Sequence, residues 1–371
     1  MLTFLSVAFS IYGAMHAYAL SKVWLAFPHS TWLALALLLA GIVMTLSPLM
    51  LWYITRQNWH AATVAISWVA YLWMGFLFLF CCIALLLDLG HGLATVSGFH
   101  WHPGAAMGLF TAGLLALGLM GYGFISAKQI QLEKITITTP KLSPAIGKVT
   151  IAQISDLHLG IMLGDDFLDR VIARLREIQP DIIVATGDVV DGQGDDLIKL
   201  AKRFLALHPP KGAYAVTGNH EFFAGLENSL QFLRNAGFTV LRGESVATGG
   251  ITLVGVDDPA ALSTRQGIAA NTSQVPVSPA ADNFIVLLKH QPLVDTKIAF
   301  DLQLSGHVHG GQIFPFGILT RLKYGVSSGL THLAGGRWLY VSRGTGTWEP
   351  PVRLFAPPEI TLITVKSEIK Q

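Results

Sequence analysis

The stretch Ile154-Ser-Asp-Leu-His-Leu-Gly160 decides how this chain folds and where its chemistry lies. It follows the β-branched residues 149–151, so we expect a strand that runs into a loop. Alternate residues of an extended strand project to the same side, which lets Asp156 and His158 converge on one metal ion. An Asp-x-His pair is weak evidence alone, because many chains contain one by chance. Its meaning therefore depends on the rest of the sequence.

Charge is distributed unevenly along the 371 residues. Only 13% of the residues are charged and 52% are hydrophobic, whereas ordinary soluble domains carry roughly 25% charged residues. Residues 1–127 contain three charged side chains, and the other 45 of the 48 follow; the three are Lys22, Arg56 and Asp88. We therefore predict a transmembrane domain in residues 1–127, a linker with a strand in 128–147 and a soluble domain in 148–371.

Four apolar stretches are each long enough for a bilayer-spanning helix, which takes about 20 residues. They cover residues 2–20, 31–54, 61–87 and 104–127, and they predict an all-α bundle of four transmembrane helices. Four lysines follow the last stretch: Lys128, Lys134, Lys141 and Lys148. The positive-inside rule places these lysines in the cytoplasm. We predict a multi-pass protein of the inner cell membrane with a cytoplasmic soluble domain.

The pattern beyond residue 128 alternates between strands and helices. Helices are predicted at residues 165–178, 195–207 and 222–236. Strands are predicted at residues 148–155, 181–186, 213–217, 251–256, 284–288, 302–305, 338–342 and 360–365. The soluble part is therefore predicted to be an α/β domain with a long β-rich second half.

Polar motifs recur just past the ends of these strands. They are Gly187-Asp-Val-Val-Asp191, Gly218-Asn-His-Glu221, His290 and Gly306-His-Val-His-Gly-Gly311. Ligand sites of open α/β sheets lie beyond the carboxyl ends of the strands, so these motifs can meet in one crevice. The candidate metal ligands are Asp156, His158, Asp188, Asn219, His290, His307 and His309.

These seven side chains are too many for one tetrahedral zinc ion. They suit two divalent ions that share a carboxylate, and mixed oxygen and nitrogen ligands fit manganese, iron or zinc, with manganese our first choice. The alternative is that each residue has an ordinary structural role. His290 would then be a core histidine, and Asp191 and Glu221 would be turn or cap residues, which is the role we favour for Glu221. The coincidence of five motifs at strand ends favours the metal site.

The ordered motifs Asp-x-His, Gly-Asp-x-x-Asp, Gly-Asn-His-Glu, a single His and Gly-His-x-His resemble those of the calcineurin-like metallophosphoesterases. They cover about residues 148–312. The later stretches 340–347 and 358–361 resemble the membrane-anchored bacterial branch of that family. The resemblance implies two packed mixed β-sheets flanked by helices, an αββα sandwich.

The resemblance also implies a role for each position. The first metal would be held by Asp156, His158 and His309, and the second by Asn219, His290 and His307, with Asp188 bridging both. The catalytic residues would be Asp188 and His220, the latter facing the substrate phosphate, while Asp191 would support a metal-ligand histidine. Two neighbouring cations lower the pKa of a shared water from ~15.7 toward ~7, which would provide the hydroxide that attacks phosphorus.

Three further side chains are candidate substrate contacts: Phe314, Arg321 and Arg343. Residues 313–324 combine apolar and basic side chains in a predicted loop, which would either dock an acyl chain and a phosphate or pack on its own domain. Residues 257–282 form a second predicted loop beside the crevice. Arg343 is a candidate phosphate clamp, and for Arg353 a surface ion pair is at least as well supported.

The function that we favour is hydrolysis of a lipid-linked phosphodiester or pyrophosphate, such as UDP-2,3-diacylglucosamine, at the cytoplasmic membrane face. One alternative is a general phosphodiesterase or phosphatase that is merely anchored to the bilayer. Another is a non-catalytic membrane sensor whose phosphoesterase domain only binds a ligand. The net charge of +2 and the lack of a Lys/Arg block argue against a nucleic-acid partner.

Overall fold

A computed structural model gives the fold and describes residues 2–57, 59–99, 104–191, 196–264 and 283–368. The chain divides into two compact units. One unit comprises Met1–Ile125 and Glu349–Val352, and the other comprises Ser126–Trp348 and Arg353–Gln371.

The first unit is helical throughout its described elements. Its helices are α1 (Leu2–Ala26), α2 (Thr31–Thr45), α3 (Ser47–Arg56), α4 (His60–Val96) and α5 (Ala105–Ser126). Helices α4 and α5 are long and apolar enough to cross a membrane, and α2 with α3 would make a third span if that pair, bent by 50°, counts as one. The bend follows from Pro48 in the first turn of α3. Proline has no backbone N–H, so it cannot donate the hydrogen bond that would continue α2 into α3. The count of four spans stays a prediction.

Two charged residues of this apolar unit, Lys22 and Asp88, pair with each other. The Lys22 ammonium lies 2.5 Å from the Asp88 carboxylate, and the Tyr18 hydroxyl donates to the same carboxylate at 2.6 Å. The Arg56 guanidinium lies 4.1 Å from the centre of the Trp52 ring. Ionised groups in a low-dielectric environment need such partners, because isolated charges are costly to remove from water.

The second unit is built on two six-stranded sheets. Its strands are β1 (Gln131–Thr139), β2 (Lys148–Ile154), β3 (Ile182–Thr186), β4 (Ala213–Val216), β5 (Thr239–Val240), β6 (Glu244–Thr248), β7 (Ile251–Gly255), β8 (Phe284–Leu288), β9 (Leu302–Ser305), β10 (Gly329–His332), β11 (Trp338–Val341) and β12 (Glu359–Ser367). Its helices are α6 (Asp165–Ile178), α7 (Asp196–Phe204), α8 (Asn219–Ala224), α9 (Leu226–Asn235), α10 (Ala260–Thr264) and α11 (Phe316–Tyr324).

Both sheets are mixed. The first has the order β1-β12-β2-β3-β4-β5, and the second has the order β10-β11-β9-β8-β7-β6. Strands β2, β3 and β4 are parallel neighbours in the first sheet, as are β7, β8 and β9 in the second. Antiparallel pairing occurs between β12 and β2 and at both edges of the second sheet. The predicted fold, a helical N-terminal region followed by an α/β domain with two mixed sheets, is confirmed.

The core forms because the central strands are buried on both faces. Ile151 of β2 packs between the sheets with Leu253 and Leu304. The next residue, Ala152, points to the opposite face and packs with Leu168 of α6. Strands buried on both faces are largely apolar, which is why β3 and β8 are recognisable as short apolar runs, whereas β2 also contains the buried Gln153.

The two outer layers differ. Helices α6, α7 and α9 supply the apolar side chains that cover the first sheet. On the second sheet, Ile298 and Phe300 pack on Ile285 and Leu287, and they belong to an irregular segment between β8 and β9 rather than to a helix.

Three sequence-based assignments are revised. The predicted helix at 222–236 is two helices, because Gly225 between them adopts φ 115°, which interrupts a right-handed helix. The predicted loop at 313–324 contains α11, which has no buried face and therefore no amphipathic signal in its sequence. The predicted loop at 257–282 begins with α10, and its residues 265–282 lie outside the described part of the chain.

Candidate metal centre

The candidate site lies where the parallel strands of both sheets end. The backbone N–H of Asp156, after β2, donates to the carbonyl of Gly187, after β3, at 3.0 Å. The N–H of Gly306, after β9, donates to the carbonyl of His290, after β8, at 2.9 Å. The carboxylate of Asp156 then accepts the N–H of His307 at 2.9 Å, which joins the loops of one sheet to those of the other.

Five of the seven predicted ligands have left-handed backbones, with φ between 49° and 71°: Asp156, His158, Asp188, His307 and His309. Residues with a Cβ rarely adopt this conformation, and each instance costs about 1–3 kcal/mol. Such a concentration of strain persists only where surrounding contacts hold the loops in place. The loops are therefore shaped for the positions of their side chains.

Six of the predicted ligands gather into two groups that are buried except for the half-buried His307. In the first, Nε2 of His158 lies 3.0 Å from Nε2 of His309, and Nε2 of His309 lies 3.4 Å from Oδ1 of Asp156. In the second, Nε2 of His290 lies 3.0 Å from Oδ2 of Asp188 and 3.1 Å from Nδ1 of His307. Within each group the potential ligand atoms all lie within 4.8 Å of one another.

Asn219 adds an independent sign that a cation belongs here. Its side-chain oxygen Oδ1 is buried and has no hydrogen-bond partner in the described part of the protein. An unsatisfied buried polar atom costs about 1–3 kcal/mol, and coordination to a divalent ion would remove that cost. The donor set of carboxylate, carboxamide and imidazole groups is also one that divalent manganese, iron or zinc accepts. The residues present therefore fit metal ions.

The histidines have different charge states. Burial, followed by the neighbouring His290, lowers the pKa of His307 to about 3. Burial and then Arg353 hold the pKa of His309 well below its usual range. Both rings are therefore neutral at physiological pH, as a metal ligand must be. Burial also opposes charge on His220, but the carboxylates of Asp188 and Asp191 raise its pKa to about 10.

Asp191 holds two of these rings. Its Oδ1 lies 2.8 Å from Nδ1 of His158 and 2.7 Å from Nδ1 of His220. A carboxylate in this position fixes the ring orientation and keeps the proton on Nδ1, so that Nε2 of each ring faces the site. The rings of Phe223 and Trp348 flank His220, with centroids 5.9 Å and 5.8 Å from it.

Glu221 caps helix α8, as expected, and it also joins two loops of the site. Its side chain is fully buried, and its Oε2 accepts the N–H groups of Gly218 at 2.6 Å and Asp188 at 3.0 Å. Its Oε1 accepts those of Val189 at 2.7 Å and Val190 at 3.3 Å. One carboxylate thus fastens the loop that carries Asp188 to the loop that carries Asn219. The sequence signal was its place in the Gly-Asn-His-Glu motif.

Arg353 is not a surface residue, which corrects the expectation of a surface ion pair. It is fully buried, and its guanidinium donates to backbone carbonyls of Gly346, His309 and Arg343. Its Nη2 also lies 3.1 Å from Nδ1 of His309. Burial lowers the pKa of Arg353 to about 9, so it remains charged at neutral pH. The side chain braces the loop that carries a predicted ligand.

The three predicted substrate contacts lie outside the two groups. Nη2 of Arg343 lies 2.6 Å from Glu133 and 2.8 Å from Glu359, so two carboxylates already balance its charge. Its role as a phosphate clamp stays a prediction, and these ion pairs count against it. Phe314, with 52% of its surface exposed, and Arg321, exposed on α11, lie on the segment after the last motif.

Replacing Glu221 with glutamine should destabilise the protein. The Glu221→Gln side chain keeps the shape but turns an amide group toward backbone N–H donors, and each unsatisfied buried group costs about 1–3 kcal/mol. Denaturation of the full chain in detergent measures the free energy of unfolding. Glu227→Gln, at a position with 81% side-chain exposure, is the control. Equal stability of the two variants would show that Glu221 does not hold the loops.

Arginine at position 353 should not be replaceable by lysine. An ammonium group lacks the planar fork of five donors that reaches several carbonyls at once, so Arg353→Lys should lose about 1–3 kcal/mol for each abandoned carbonyl. The same denaturation assay measures the loss. Arg174→Lys is the matched control, because Arg174 forms a surface pair with Glu177. A loss no greater than that of the control would contradict the bracing role.

Comparison with known proteins agrees with this geometry. The calcineurin-like phosphoesterase family model matches residues 149–311. An uncharacterized metallophosphoesterase of Aquifex aeolicus is 40% identical over 260 residues, which cover 68% of this chain and 98% of that protein. A transmembrane protein with metallophosphoesterase domain from Danio rerio is 30% identical over 280 residues, 70% of this chain and 64% of that protein.

A solved dimetal phosphatase from Danio rerio is 12% identical, with a TM-score of 0.35, over 53% of this chain and 87% of that chain; a similarity this low supports no argument. The Aquifex relative is decisive, because it is 40% identical and this chain covers 98% of it; the family model matches the stretch of this chain that contains every motif from Asp-x-His to Gly-His-x-His. The apolar helices and the transmembrane relative indicate a membrane protein. The chain belongs to the calcineurin-like metallophosphoesterases, and it is a membrane-associated hydrolase of that family.

Proposed function

We propose that this metallophosphoesterase hydrolyses a lipid-linked phosphodiester or pyrophosphate with two divalent metal ions, manganese first among the candidates. The observation that supports this most is the pair of buried ligand groups at the ends of the strands, each with its donor atoms within 4.8 Å. An orphaned Asn219 oxygen in the same place supports a cation rather than a network of protein hydrogen bonds.

Each predicted ligand is assigned to one of the two ions, or to both. Asp156, His158 and His309 would hold one ion, while Asn219, His290 and His307 would hold the other. Asp188, whose Oδ2 lies 3.0 Å from Nε2 of His290, would be the carboxylate shared by both. When bound, the two cations supply an activated water and neutralise charge on the phosphoryl oxygens.

His220 is proposed to act on the substrate phosphate. Its backbone N–H donates to Oδ1 of Asp188 at 2.9 Å, which fixes the residue beside the bridging carboxylate. Its Nδ1 is occupied by Asp191 at 2.7 Å, so Nε2 is the nitrogen left for the substrate. From there it stabilises charge on the phosphate or donates a proton to the leaving oxygen.

Two features favour a lipid-linked substrate. The chain has helices that are long and apolar enough to cross a membrane, and the segment that follows His309 exposes Phe314, Ile318 and Leu319. UDP-2,3-diacylglucosamine combines a pyrophosphate with acyl chains and is the specific candidate. The competing function, a general phosphodiesterase that is only anchored to the bilayer, needs no apolar surface beside the site.

The main test is turnover by the purified full-length protein after metal removal and re-addition of Mn²⁺, Fe²⁺ or Zn²⁺. Asp188→Asn should lower turnover by about 10²–10³-fold, the usual effect of removing a preorganised electrostatic group. Asp169→Asn, at a position with 62% side-chain exposure, should retain activity. Unchanged turnover by Asp188→Asn would contradict catalysis at this site, and a wild type that shows no turnover with any of the three metals would favour the sensor hypothesis. Hydrolysis of bis-p-nitrophenyl phosphate but not of UDP-2,3-diacylglucosamine would favour the general phosphodiesterase.

The soluble unit is proposed to face the cytoplasm, because Lys128, Lys134, Lys141 and Lys148 follow the last apolar helix and basic flanks stay on that side. Alkaline phosphatase, which is active only outside the cytoplasm, should be inactive when fused to the C-terminus. A fluorescent protein that matures in the cytoplasm should be bright there. The reverse pattern would contradict this orientation.

A further inference from the structure

Helix α11 exposes apolar side chains that a water-soluble domain normally buries. No residue of α11 is buried, and Ile318, Leu319 and Leu322 are 55%, 57% and 77% exposed. Helices α6 and α9 of the same unit, in contrast, bury their apolar residues against the first sheet. Contiguous exposed apolar surface of this kind marks an interaction site. We call the exposed side chains of Phe314–Tyr324 the rim face.

The charges on the rim face are all positive. Arg321 and Lys323 lie in the last turn of α11 and are exposed, and residues 313–324 contain no Asp or Glu. Helices that combine exposed Leu, Ile and Phe with Lys and Arg lie in the headgroup region of anionic bilayers. The composition therefore fits a lipid surface better than an acidic or neutral protein surface.

The rim face lies beside the candidate site. Gly317 of α11 packs so closely on Gly311 that a methyl group on Gly311 would lie 2.2 Å from the Gly317 Cα. Gly311 is only two residues beyond the predicted ligand His309. A surface that contacts α11 would therefore also lie next to the loop that carries His309.

The segment just before the rim face is linked through Arg343 to the first strand of this unit. A Cβ on Gly310 would lie 3.1 Å from Cγ of Arg343, and the guanidinium of Arg343 reaches Gln131 at 3.3 Å and Glu133 at 2.6 Å. Gln131 begins β1, five residues after Ser126, the last residue of apolar helix α5. Five residues span at most about 18 Å, so the chain itself limits how far Gln131 can lie from Ser126.

We propose that the rim face docks into the headgroup region of an anionic bilayer. The side chains of Ile318, Leu319 and Leu322 enter the acyl boundary, while Arg321 and Lys323 contact lipid phosphates. Docking would present the metal centre to phosphate esters held in the membrane surface, a consequence that rests on the proposed function. The docking itself requires no turnover, so the two can fail separately.

Fluorescence quenching by brominated lipids tests the docking directly. The full-length protein, with Cys81→Ser and Cys82→Ser, receives one cysteine, Leu322→Cys, which carries a bimane label. It is reconstituted into vesicles of brominated phosphatidylglycerol or brominated phosphatidylcholine. Ile198→Cys on α7, 57% exposed in the parent, is the matched control. The label at 322 should be quenched strongly in the anionic vesicles, and the label at 198 should not. Equal quenching at both positions would overturn the proposal.

The charge contribution has its own test in the same assay. A basic residue near an anionic surface contributes about 1 kcal/mol, or about fivefold in the docked-to-undocked ratio. Arg321→Gln combined with Lys323→Gln should therefore lower that ratio by roughly 25- to 30-fold in phosphatidylglycerol and leave it unchanged in phosphatidylcholine. An unchanged ratio in phosphatidylglycerol would contradict recognition of anionic lipid. A protein that docks but hydrolyses no ester would refute the proposed function alone.

Discussion

The carboxylate of Asp156 is the contact on which the site depends. It stands at the end of β2 in one sheet and accepts the N–H of His307, which follows β9 in the other, at 2.9 Å. A Cβ on Gly306 would lie 2.3 Å from Oδ2 of Asp156, so only glycine permits this approach. The two sheets are thereby locked at the edge where their parallel strands end, and both groups of predicted ligands are assembled there.

Much of the fold and of the candidate site was predictable, for a physical reason. Central strands buried on both faces are short apolar runs, and the polar residues that follow them, such as Asp188 and His290, stand out by contrast. The rest was not predictable, because it depends on contacts distant in sequence. Arg353 is buried by carbonyls from several loops, and Glu221 accepts N–H groups more than thirty residues away. Helix α11 has no buried face, so no periodic pattern indicated it.

The loops of the site have strained backbones, and buried side chains hold them in place with hydrogen bonds. Left-handed backbones at Asp156, Asp188 and His309 would relax if the loops were free. Glu221 accepts backbone N–H groups of the loop that carries Asp188, and Arg353 donates to the carbonyl of His309 at 2.8 Å. Buried charged groups thus hold the loops that present the predicted ligands, and this preorganisation is what a metal centre needs to bind its ions without rearrangement. The sequence motifs indicate the predicted ligands, whereas only the structure shows that Glu221 and Arg353 hold the loops of those ligands.

The central claim is that this edge holds two metal ions side by side, and the metal content of the full-length protein tests it most directly. Mass spectrometry of protein saturated with Mn²⁺ and then freed of excess metal should find two ions per chain. His290→Ala, which removes one predicted ligand of the second ion, should retain one. A saturated wild-type chain that holds at most one ion would contradict the account.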